Sequence, residues 1–179
     1  MAQSKAKTIE PLFDEREIAE RVAALAGEID RTIEGEFVIV GLLKGSFVFV
    51  ADLARALYAK GREPRIEFIR LSSYGIGTES SGEVHLLGDI PTDVAGRQIL
   101  LVDDIVDTGR SIAYAMALMR QREVGQLWTC ALLDKPSRRE VEVTADFVGF
   151  SIDDLFIAGY GIDYAENYRY LPYIGVAVD

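Results

Sequence analysis

The fold is decided by the stretch Ile99-Leu100-Leu101-Val102-Asp103-Asp104-Ile105-Val106-Asp107-Thr108-Gly109-Arg110-Ser111. Its first, apolar residues predict a buried strand over 97–102, and the apolar spacing that follows predicts a helix over 108–123. A buried strand that leads into a helix is typical of a parallel α/β sheet. Because the ligands of such sheets bind beyond the carboxyl ends of the strands, the polar residues of this stretch lie where a site is expected.

Carboxylates and backbone N–H groups indicate which ligand this stretch would bind. We expect the chain to turn at Asp103 and Asp104, so that both carboxylates can hold sugar hydroxyls or a hard cation. Asp107 has two interpretations, as a cap of the following helix or as a group that exchanges a proton with a reacting base. The next residues bring hydroxyls and N–H groups suited to phosphate to the start of the helix, and they are Thr108, Gly109, Arg110 and Ser111. A ribose 5-phosphate with a metal ion is one ligand that fits this spacing.

Further strands and helices alternate along the chain. Asp14 and Glu17 form the pattern of a capping box, apolar residues at helical spacing follow over 18–33, and Ser46 is a candidate N-cap for a second helix. The other predicted strands are 37–43, 64–71, 84–87, 127–133, 147–150, 156–159 and 174–178. This order predicts an α/β fold with a mainly parallel central sheet flanked by helices.

Length and composition restrict the class of protein. The chain has 179 residues, a formal net charge of −10 and one cysteine, Cys130. The length predicts one domain over 1–179, the negative charge argues against nucleic acid as a partner, and a disulfide within the chain is impossible. No apolar run of the sequence approaches ~20 residues, which argues against a membrane partner. We therefore expect a cytoplasmic protein.

A polar segment rich in glycine separates two of the predicted strands. Residues 72–83 include Gly75, Gly77 and Gly82 among serines and a threonine, a composition that predicts a mobile loop. Such a loop either closes over a substrate or merely links the two strands. The only histidine of the sequence, His85, lies beside this segment, so proton transfer at the site has to fall to a carboxylate or a lysine.

Lysines follow two other predicted strands. Lys44, in Leu43-Lys44-Gly45-Ser46, lies at a strand-to-helix turn that lacks the glycine spacing of a Walker A loop. Lys135 follows the strand over 127–133, so both lysines can converge with the first motif on one crevice. Three side chains near the C-terminus add a ring that can stack on a flat heterocycle, a carboxylate for a metal ion and a cation for an anion, and they are Phe156, Asp163 and Arg169.

Taken together, these residues resemble a known family. The stretch over 102–111 is similar to the phosphoribosyl pyrophosphate (PRPP) binding motif of the type I phosphoribosyltransferases. Lys135, Phe156 and the segment of Asp163 make the chain most similar to the bacterial hypoxanthine phosphoribosyltransferases, which act on 6-oxopurines. The resemblance covers about 37–178, and its other matching segments are Leu43-Lys44-Gly45-Ser46, Ser72-Ser73-Tyr74, Leu133-Asp134-Lys135, Phe147-Val148-Gly149-Phe150 and Gly159-Tyr160-Gly161-Ile162-Asp163-Tyr164.

The resemblance implies a fold and a reaction. The fold would be that of the type I phosphoribosyltransferases, with a small hood made from the chain ends. The reaction would be an Mg²⁺-dependent step of purine salvage, in which the 5-phosphoribosyl group of PRPP passes to N9 of hypoxanthine or guanine. IMP or GMP and pyrophosphate would be the products. The partners would be PRPP, the base and further copies of the chain in a homodimer or homotetramer.

The resemblance also implies a contact for each part of PRPP. Asp103 and Asp104 would hold the ribose hydroxyls and, together with Asp163, the Mg²⁺ ions. Asp107 would be the catalytic residue, which handles the proton on purine N7. The 5′-phosphate would bind at Asp107, Thr108, Gly109, Arg110 and Ser111, and the pyrophosphate at Lys44, Gly45 and Arg169.

For the base, the resemblance implies four further contacts and a lid. Lys135 would donate to purine O6, and Phe156 would stack on the ring. The backbone of Ile157 and Asp163 would face the C2 edge. The closing loop would contain Ser73 and Tyr74, and the peptide bond between Leu43 and Lys44 would be cis.

Two alternatives stay open. A PRPP-binding regulator of the same fold, such as the pyrimidine-operon RNA attenuators, would bind without catalysis, and it is disfavoured by Asp107 and by the net charge of −10. A transferase with the same motif can also prefer xanthine or guanine. Adenine is disfavoured, because its 6-amino group is a hydrogen-bond donor and Lys135 would be a donor facing it.

Overall fold

The computed structural model describes residues 8–73, 84–88 and 93–178 of the chain. Within these ranges it contains the helices α1 (Glu15–Thr32), α2 (Phe47–Tyr58) and α3 (Arg110–Gln121), and a short 3-10 helix over Pro136–Arg138. The described strands are β1 (Thr8–Phe13), β2 (Phe37–Leu43), β3 (Arg65–Ser73), β4 (Val84–Leu86), β5 (Gln98–Val106), β6 (Gln126–Asp134), β7 (Phe147–Ser151), β8 (Ile157–Ala158) and β9 (Ile174–Val178).

A sheet of six described strands forms the centre of the molecule, in the order β4-β3-β2-β5-β6-β7. Its strands run parallel except for β4, which pairs antiparallel with β3 at one edge. Because β5 lies between β2 and β6, the carboxyl ends of these three strands meet at one edge of the sheet. The prediction of a mainly parallel α/β sheet is confirmed.

The central strands are apolar on both faces, which explains why helices cover both sides of the sheet. Ile39 and Leu100 belong to a core cluster that includes the buried residues of α1 and α2. Val40 and Leu101, one residue further along the same strands, belong to a second cluster with Met119 of α3. Since strand side chains alternate between faces, each central strand contributes to both clusters. Each fully buried Leu or Ile of this kind stabilises the fold by roughly 1.5–3 kcal/mol.

A second sheet, with three described strands, brings the two ends of the chain together in the antiparallel order β1-β9-β8. Val178 pairs with Thr8 in its register. The ring of Phe13 in β1 stacks on the ring of Phe150 in β7, with a centroid distance of 4.0 Å. This small sheet therefore packs beside the main sheet, in agreement with a hood made from the chain ends.

Helix α1 begins as the sequence predicts and ties the two sheets together. Asp14 Oδ1 accepts the N–H of Glu17 at 2.8 Å, and Glu17 Oε2 accepts the N–H of Asp14 at 2.8 Å, which completes the capping box. Further along α1, Arg21 donates to the carbonyl groups of Val148 and Gly149 in β7. Among the described residues, no helix has the length and apolar composition needed to cross a membrane.

Some predicted boundaries were wrong. β5 continues four residues beyond the predicted end at 102, and α3 begins at Arg110 rather than at 108. β3 continues to Ser73, so the first two residues of the predicted loop over 72–83 belong to a strand, and residues 74–83 lie outside the described chain. Ser46 is the N-cap residue of α2, as predicted, although its hydroxyl donates to the Leu42 carbonyl oxygen at 2.7 Å and does not cap the helix. β1 was not predicted at all.

Candidate active site

The carboxyl ends of β2, β5 and β6 bring the predicted site residues to one edge of the main sheet. Lys44, Asp107 and Lys135 are the first residues after these three strands. Asp103 and Asp104 lie inside β5, whose pairing with β6 continues as far as Val106, so the expected turn at these two carboxylates was wrong. The acidic residues nevertheless belong to the same edge, because β5 ends only two residues after Asp104.

A cavity of about 270 Å³ lies at this edge, and we call it the first cavity. Predicted residues from the β2–α2 turn and from the end of β5 line it, and they are Lys44, Gly45, Asp103, Asp104, Asp107, Thr108, Gly109 and Ser111. The Leu43–Lys44 peptide bond in its wall is cis, as the resemblance implies. The side chain of Arg110 turns to Glu140 instead, at 2.6 Å between Nη2 and Oε2.

Burial dominates the electrostatics of Asp103 and Asp104. It raises the pKa of Asp103 well above the ordinary value, and the charge of Asp104 raises it further. Burial likewise raises the pKa of Asp104, against the effect of the positive charge on Arg169. The β2–α2 turn packs directly on this pair, because a Cβ on Gly45 would lie only 1.7 Å from Asp104 Oδ2.

This acidic pair fits a divalent cation that shares its coordination with a ligand. A cation would offset the negative charge of Asp104 beside Asp103, which contributes to the raised pKa of Asp103. Within the described ranges, no three His, Cys, Asp or Glu side chains are gathered into a metal-binding group. Mg²⁺ is bound through one or two carboxylates together with substrate phosphates in many sites, so two carboxylates at a substrate cavity are a fitting donor set.

Residues 107–111, which we call the phosphate loop, join β5 to α3. Gly109 has φ +84°, and a Cβ there would lie 2.6 Å from Val143 Cγ1, so both conformation and space require glycine. The guanidinium of Arg139 braces the loop by donating to the carbonyl oxygens of Val106 at 3.0 Å and Asp107 at 2.6 Å. The loop therefore leads the backbone N–H groups that begin α3 to the first cavity, where they can bind an anion.

A second cavity, of about 260 Å³, adjoins the first, because Ile105 and Asp107 line both. Lys135 is almost fully buried in it, and its Nζ donates to the carbonyl oxygen of Leu155 at 2.6 Å. The ring of Phe156 is 74% exposed and can stack on a flat ligand. All four residues predicted to bind the base line this second cavity, and they are Lys135, Phe156, Ile157 and Asp163.

Asp107 faces a cation that the sequence analysis did not single out. Arg138 Nε donates to Asp107 Oδ1 at 3.3 Å and lies 3.7 Å from Asp154 Oδ1. The N-cap of α3 is Gly109, so the interpretation of Asp107 as the helix cap is wrong. The Asp107 carboxylate instead stands between the two cavities, where it can exchange a proton with a bound ligand.

Lys44 and Arg169, the cations expected to hold pyrophosphate, both reach Glu166. Lys44 Nζ lies 2.7 Å from Glu166 Oε2, and Arg169 Nη2 lies 3.7 Å from the same oxygen. Arg169 Nη2 also pairs with Asp163 Oδ1 at 2.5 Å, and its Nη1 donates to the Gly161 carbonyl oxygen at 2.9 Å. Arg169 thus stands beside the first cavity rather than among the residues that line it.

Most of the predicted lid lies outside the described residues. Ser73 is the last residue of β3, and Tyr74 lies outside the described residues. His85 lies in β4, at the edge of the sheet and separated from β5 by two strands.

Three charged residues of the site were missed by the sequence analysis, and they are Arg138, Arg139 and Glu166. The signal for the arginines was their position, three and four residues after Lys135. For Glu166 the signal was an acidic residue between two residues already assigned to the site, Asp163 and Arg169. In each case the partner is distant in sequence or folds back across a turn, so composition and periodicity did not reveal the contact.

The comparisons with known proteins identify the class. The model of the phosphoribosyl transferase domain family matches residues 8–165, which is most of the chain. The chain therefore belongs to the phosphoribosyltransferase family and is a transferase. The family and the fold that the sequence predicted are both confirmed.

Within the family, the similarity is to hypoxanthine and hypoxanthine-guanine phosphoribosyltransferases. The chain is 44% identical over 174 residues to the hypoxanthine phosphoribosyltransferase of Salmonella typhimurium, with 96% of each chain covered. A crystal structure of a hypoxanthine-guanine phosphoribosyltransferase from Bacillus anthracis, with HEPES in its active site, matches with a TM-score of 0.88 and 44% identity, covering 96% of this chain and 100% of that one. The hypoxanthine phosphoribosyltransferase of Trypanosoma cruzi, studied for the role of its C-terminal region in oligomeric state and activity, matches with a TM-score of 0.88 and 38% identity, covering 98% and 94%.

Proposed function

We propose that the protein transfers the 5-phosphoribosyl group of PRPP to N9 of hypoxanthine, and also of guanine, in purine salvage. The observation that carries this proposal is the position of Asp107, which lines both cavities. A sugar phosphate in the first cavity and a flat base in the second would place the bond to be formed beside this carboxylate. IMP or GMP and pyrophosphate are the products.

PRPP binds in the first cavity. The phosphate loop holds the 5′-phosphate through its N–H groups and the hydroxyls of Thr108 and Ser111, since a helix start favours an anion. Asp103 and Asp104 hold the ribose hydroxyls and, with Asp163, Mg²⁺. When bound, Mg²⁺ neutralises charge on the pyrophosphate leaving group. Lys44, the backbone of Gly45, and Arg169 hold the pyrophosphate itself.

The purine binds in the second cavity. Lys135 exchanges its contact with the Leu155 carbonyl for a hydrogen bond to the purine O6, which is an acceptor. Phe156 packs on the face of the ring. The backbone of Ile157 and Asp163 faces the C2 edge, which allows both hypoxanthine and guanine to bind.

The transfer step moves one electron pair to C1′ and one away from it. The lone pair of purine N9 forms the bond to ribose C1′ while the bond from C1′ to the pyrophosphate oxygen breaks and its electrons leave with pyrophosphate. Positive charge develops on the sugar, as it does in glycoside hydrolysis. Asp107 accepts the proton from purine N7, which restores a neutral base in the product.

The direct test is an ultraviolet assay of nucleotide formation. The protein is mixed with PRPP and Mg²⁺, and hypoxanthine, guanine, xanthine and adenine are supplied one at a time. We expect turnover with hypoxanthine and guanine, and loss of that turnover when EDTA removes the metal ion. Turnover confined to xanthine would instead support the alternative of a transferase that prefers xanthine. Binding of PRPP with no turnover on any base would contradict the proposal in favour of a PRPP-binding regulator.

We also propose that the protein acts in the cytoplasm as a homodimer or homotetramer. Its single cysteine is consistent with a reducing compartment. Exposed rings on neighbouring elements, Phe47 on α2 and Phe68 on β3, offer apolar surface for a second copy. Light scattering coupled to size exclusion should report a mass of two or four chains, and a monomer at assay concentration would contradict this part.

A further inference from the structure

The Glu166 carboxylate lies at the position where the proposed site would hold the pyrophosphate group of the substrate. Lys44 Nζ lies 2.7 Å from Glu166 Oε2, and Arg169 Nη2 lies 3.7 Å from it. These two cations are those that the proposed function assigns to pyrophosphate. One carboxylate oxygen therefore occupies the position between them.

The turn that carries Glu166 fixes this placement. The backbone N–H of Glu166 donates to Asp163 Oδ2 at 2.8 Å, and Tyr164 and Asn167 form an isolated bridge that closes the turn. Ala165 and Glu166 have φ angles of +51° and +62°, in the left-handed region that residues with a Cβ rarely adopt. A conformation of this kind persists only where surrounding contacts impose it.

Stability does not account for the ion pair. The side chains of Glu166 and Lys44 are 69% and 45% exposed, and exposed pairs of this kind contribute little to folding. The hydrogen bond from Lys44, together with its charge, lowers the pKa of Glu166, and Arg169 makes a smaller contribution, so the side chain is a carboxylate near neutral pH. The contact therefore matters chiefly for what else those cations can bind.

We propose that Glu166 is a tethered competitor of pyrophosphate, whose carboxylate holds Lys44 and Arg169 in the empty site and swings aside when PRPP binds. The proposal rests on the proposed function, because it takes the pyrophosphate position from there. Binding of PRPP must break the contact, and its return after transfer helps to expel pyrophosphate. Glu166 thus lowers the affinity of the site for both PRPP and pyrophosphate.

The test is the affinity for inorganic pyrophosphate, measured by calorimetry at a fixed Mg²⁺ concentration. Glu166→Gln keeps the size of the side chain and removes its charge. We expect its dissociation constant for pyrophosphate to fall about fivefold relative to the unaltered protein, because a partly screened charge contact no longer has to be broken. Glu166→Ala should change the affinity in the same direction. The gain should shrink at high salt, which screens exposed charges.

Glu63→Gln is the matched control. It removes the same charge from an exposed position just before β3, at the opposite edge of the sheet, and should leave the affinity unchanged. Equal or weaker pyrophosphate binding by Glu166→Gln overturns the proposal, since a carboxylate that helps to bind the metal–pyrophosphate complex would give that result.

Lys44→Ala distinguishes a failure of the competitor proposal from a failure of the proposed pyrophosphate site. If the unaltered protein binds pyrophosphate and Lys44→Ala weakens that binding, the proposed pyrophosphate site stands, and the Glu166 variants alone decide the competitor proposal. If the unaltered protein does not bind pyrophosphate, both the competitor proposal and the assigned pyrophosphate site are overturned.

Discussion

Asp107 is one of the residues that line both cavities. Its carboxylate accepts a hydrogen bond from Arg138 at 3.3 Å, which is longer than most contacts of this kind. A long contact to an exposed guanidinium leaves the carboxylate able to change partners when a ligand binds. The proposed proton acceptor and the cation that contacts it therefore come from neighbouring connections, one after β5 and one after β6.

Asp107→Asn tests this role. The amide has nearly the same shape but cannot take up the purine proton, so we expect turnover to fall by about 10²–10⁴-fold with PRPP affinity largely retained. Turnover is measured by the ultraviolet assay and PRPP affinity by calorimetry. Asp93→Asn, at an exposed site outside both cavities, is the control and should keep full activity. Unchanged turnover in Asp107→Asn would show that the carboxylate is not catalytic.

Gly45→Ala tests the packing of the β2–α2 turn on Asp104. The added methyl group would lie 1.7 Å from Asp104 Oδ2, so the carboxylate has to move from the first cavity wall. We expect kcat/KM for PRPP to fall about 10- to 100-fold, as is typical of an ångström-scale misplacement. Gly27→Ala, inside α1 and with its nearest contact at 3.4 Å, should leave kinetics unchanged. Equal kinetics in both variants would mean that Asp104 has no fixed role.

At the scale of elements, the quality of the sequence prediction follows from how local the signal is. β2 and β9 have the predicted bounds, because each is a short apolar run with clear ends. β1 was missed, since it contains Pro11 and obtains its pairing from β9, more than 160 residues away. β5 was predicted too short because Asp103 and Asp104 are unfavourable in strands, yet pairing with β6 extends the strand through them.

Helix α1 gives a prediction about stability at this scale. Asp14→Ala removes the acceptor that satisfies the Glu17 N–H and opens the capping box. We expect the free energy of unfolding to fall by about 1 kcal/mol and Tm by about 2–4 °C. Asp14→Ser retains a capping oxygen and should lose much less. Both are measured by thermal and urea unfolding, and equal stability of the two variants would show that the cap contributes nothing.

At the scale of the whole molecule, the candidate site is built from the ends of several strands and from residues near the C-terminus. The sequence predicted which strand ends carry the phosphate loop and the two lysines, because parallel topology alone places them together. It did not predict the contacts of Arg138, Arg139 and Glu166, which depend on how the connections fold over that edge. The two sheets are joined by α1 and by the stacking of Phe13 on Phe150, so residues near the C-terminus are held beside the main sheet.

Cys130 reports on this whole-molecule packing. It lies in β6 with no exposed surface, so a reagent cannot reach the sulfur. Burial also raises the pKa of the thiol, which disfavours the reactive thiolate form. We expect a thiol reagent to label the folded protein only after global unfolding, with the labelled fraction rising through the urea transition. Because the sequence has one cysteine, the Cys130→Ala variant has no thiol to label and serves as the negative control. Rapid labelling in native buffer would contradict the packing described for β6.

The pairing of β1 with β9 bears on how the protein is made. The ribosome synthesises β1 long before β9, yet β9 is its partner among the described strands. β2, β5 and β6 can pack while synthesis continues, whereas β1 has to wait as an unpaired strand. Asp163 and Arg169 also emerge late. A growing chain can therefore form the phosphate loop first, and it gains the last of the residues proposed to hold base and pyrophosphate only shortly before the last strand arrives.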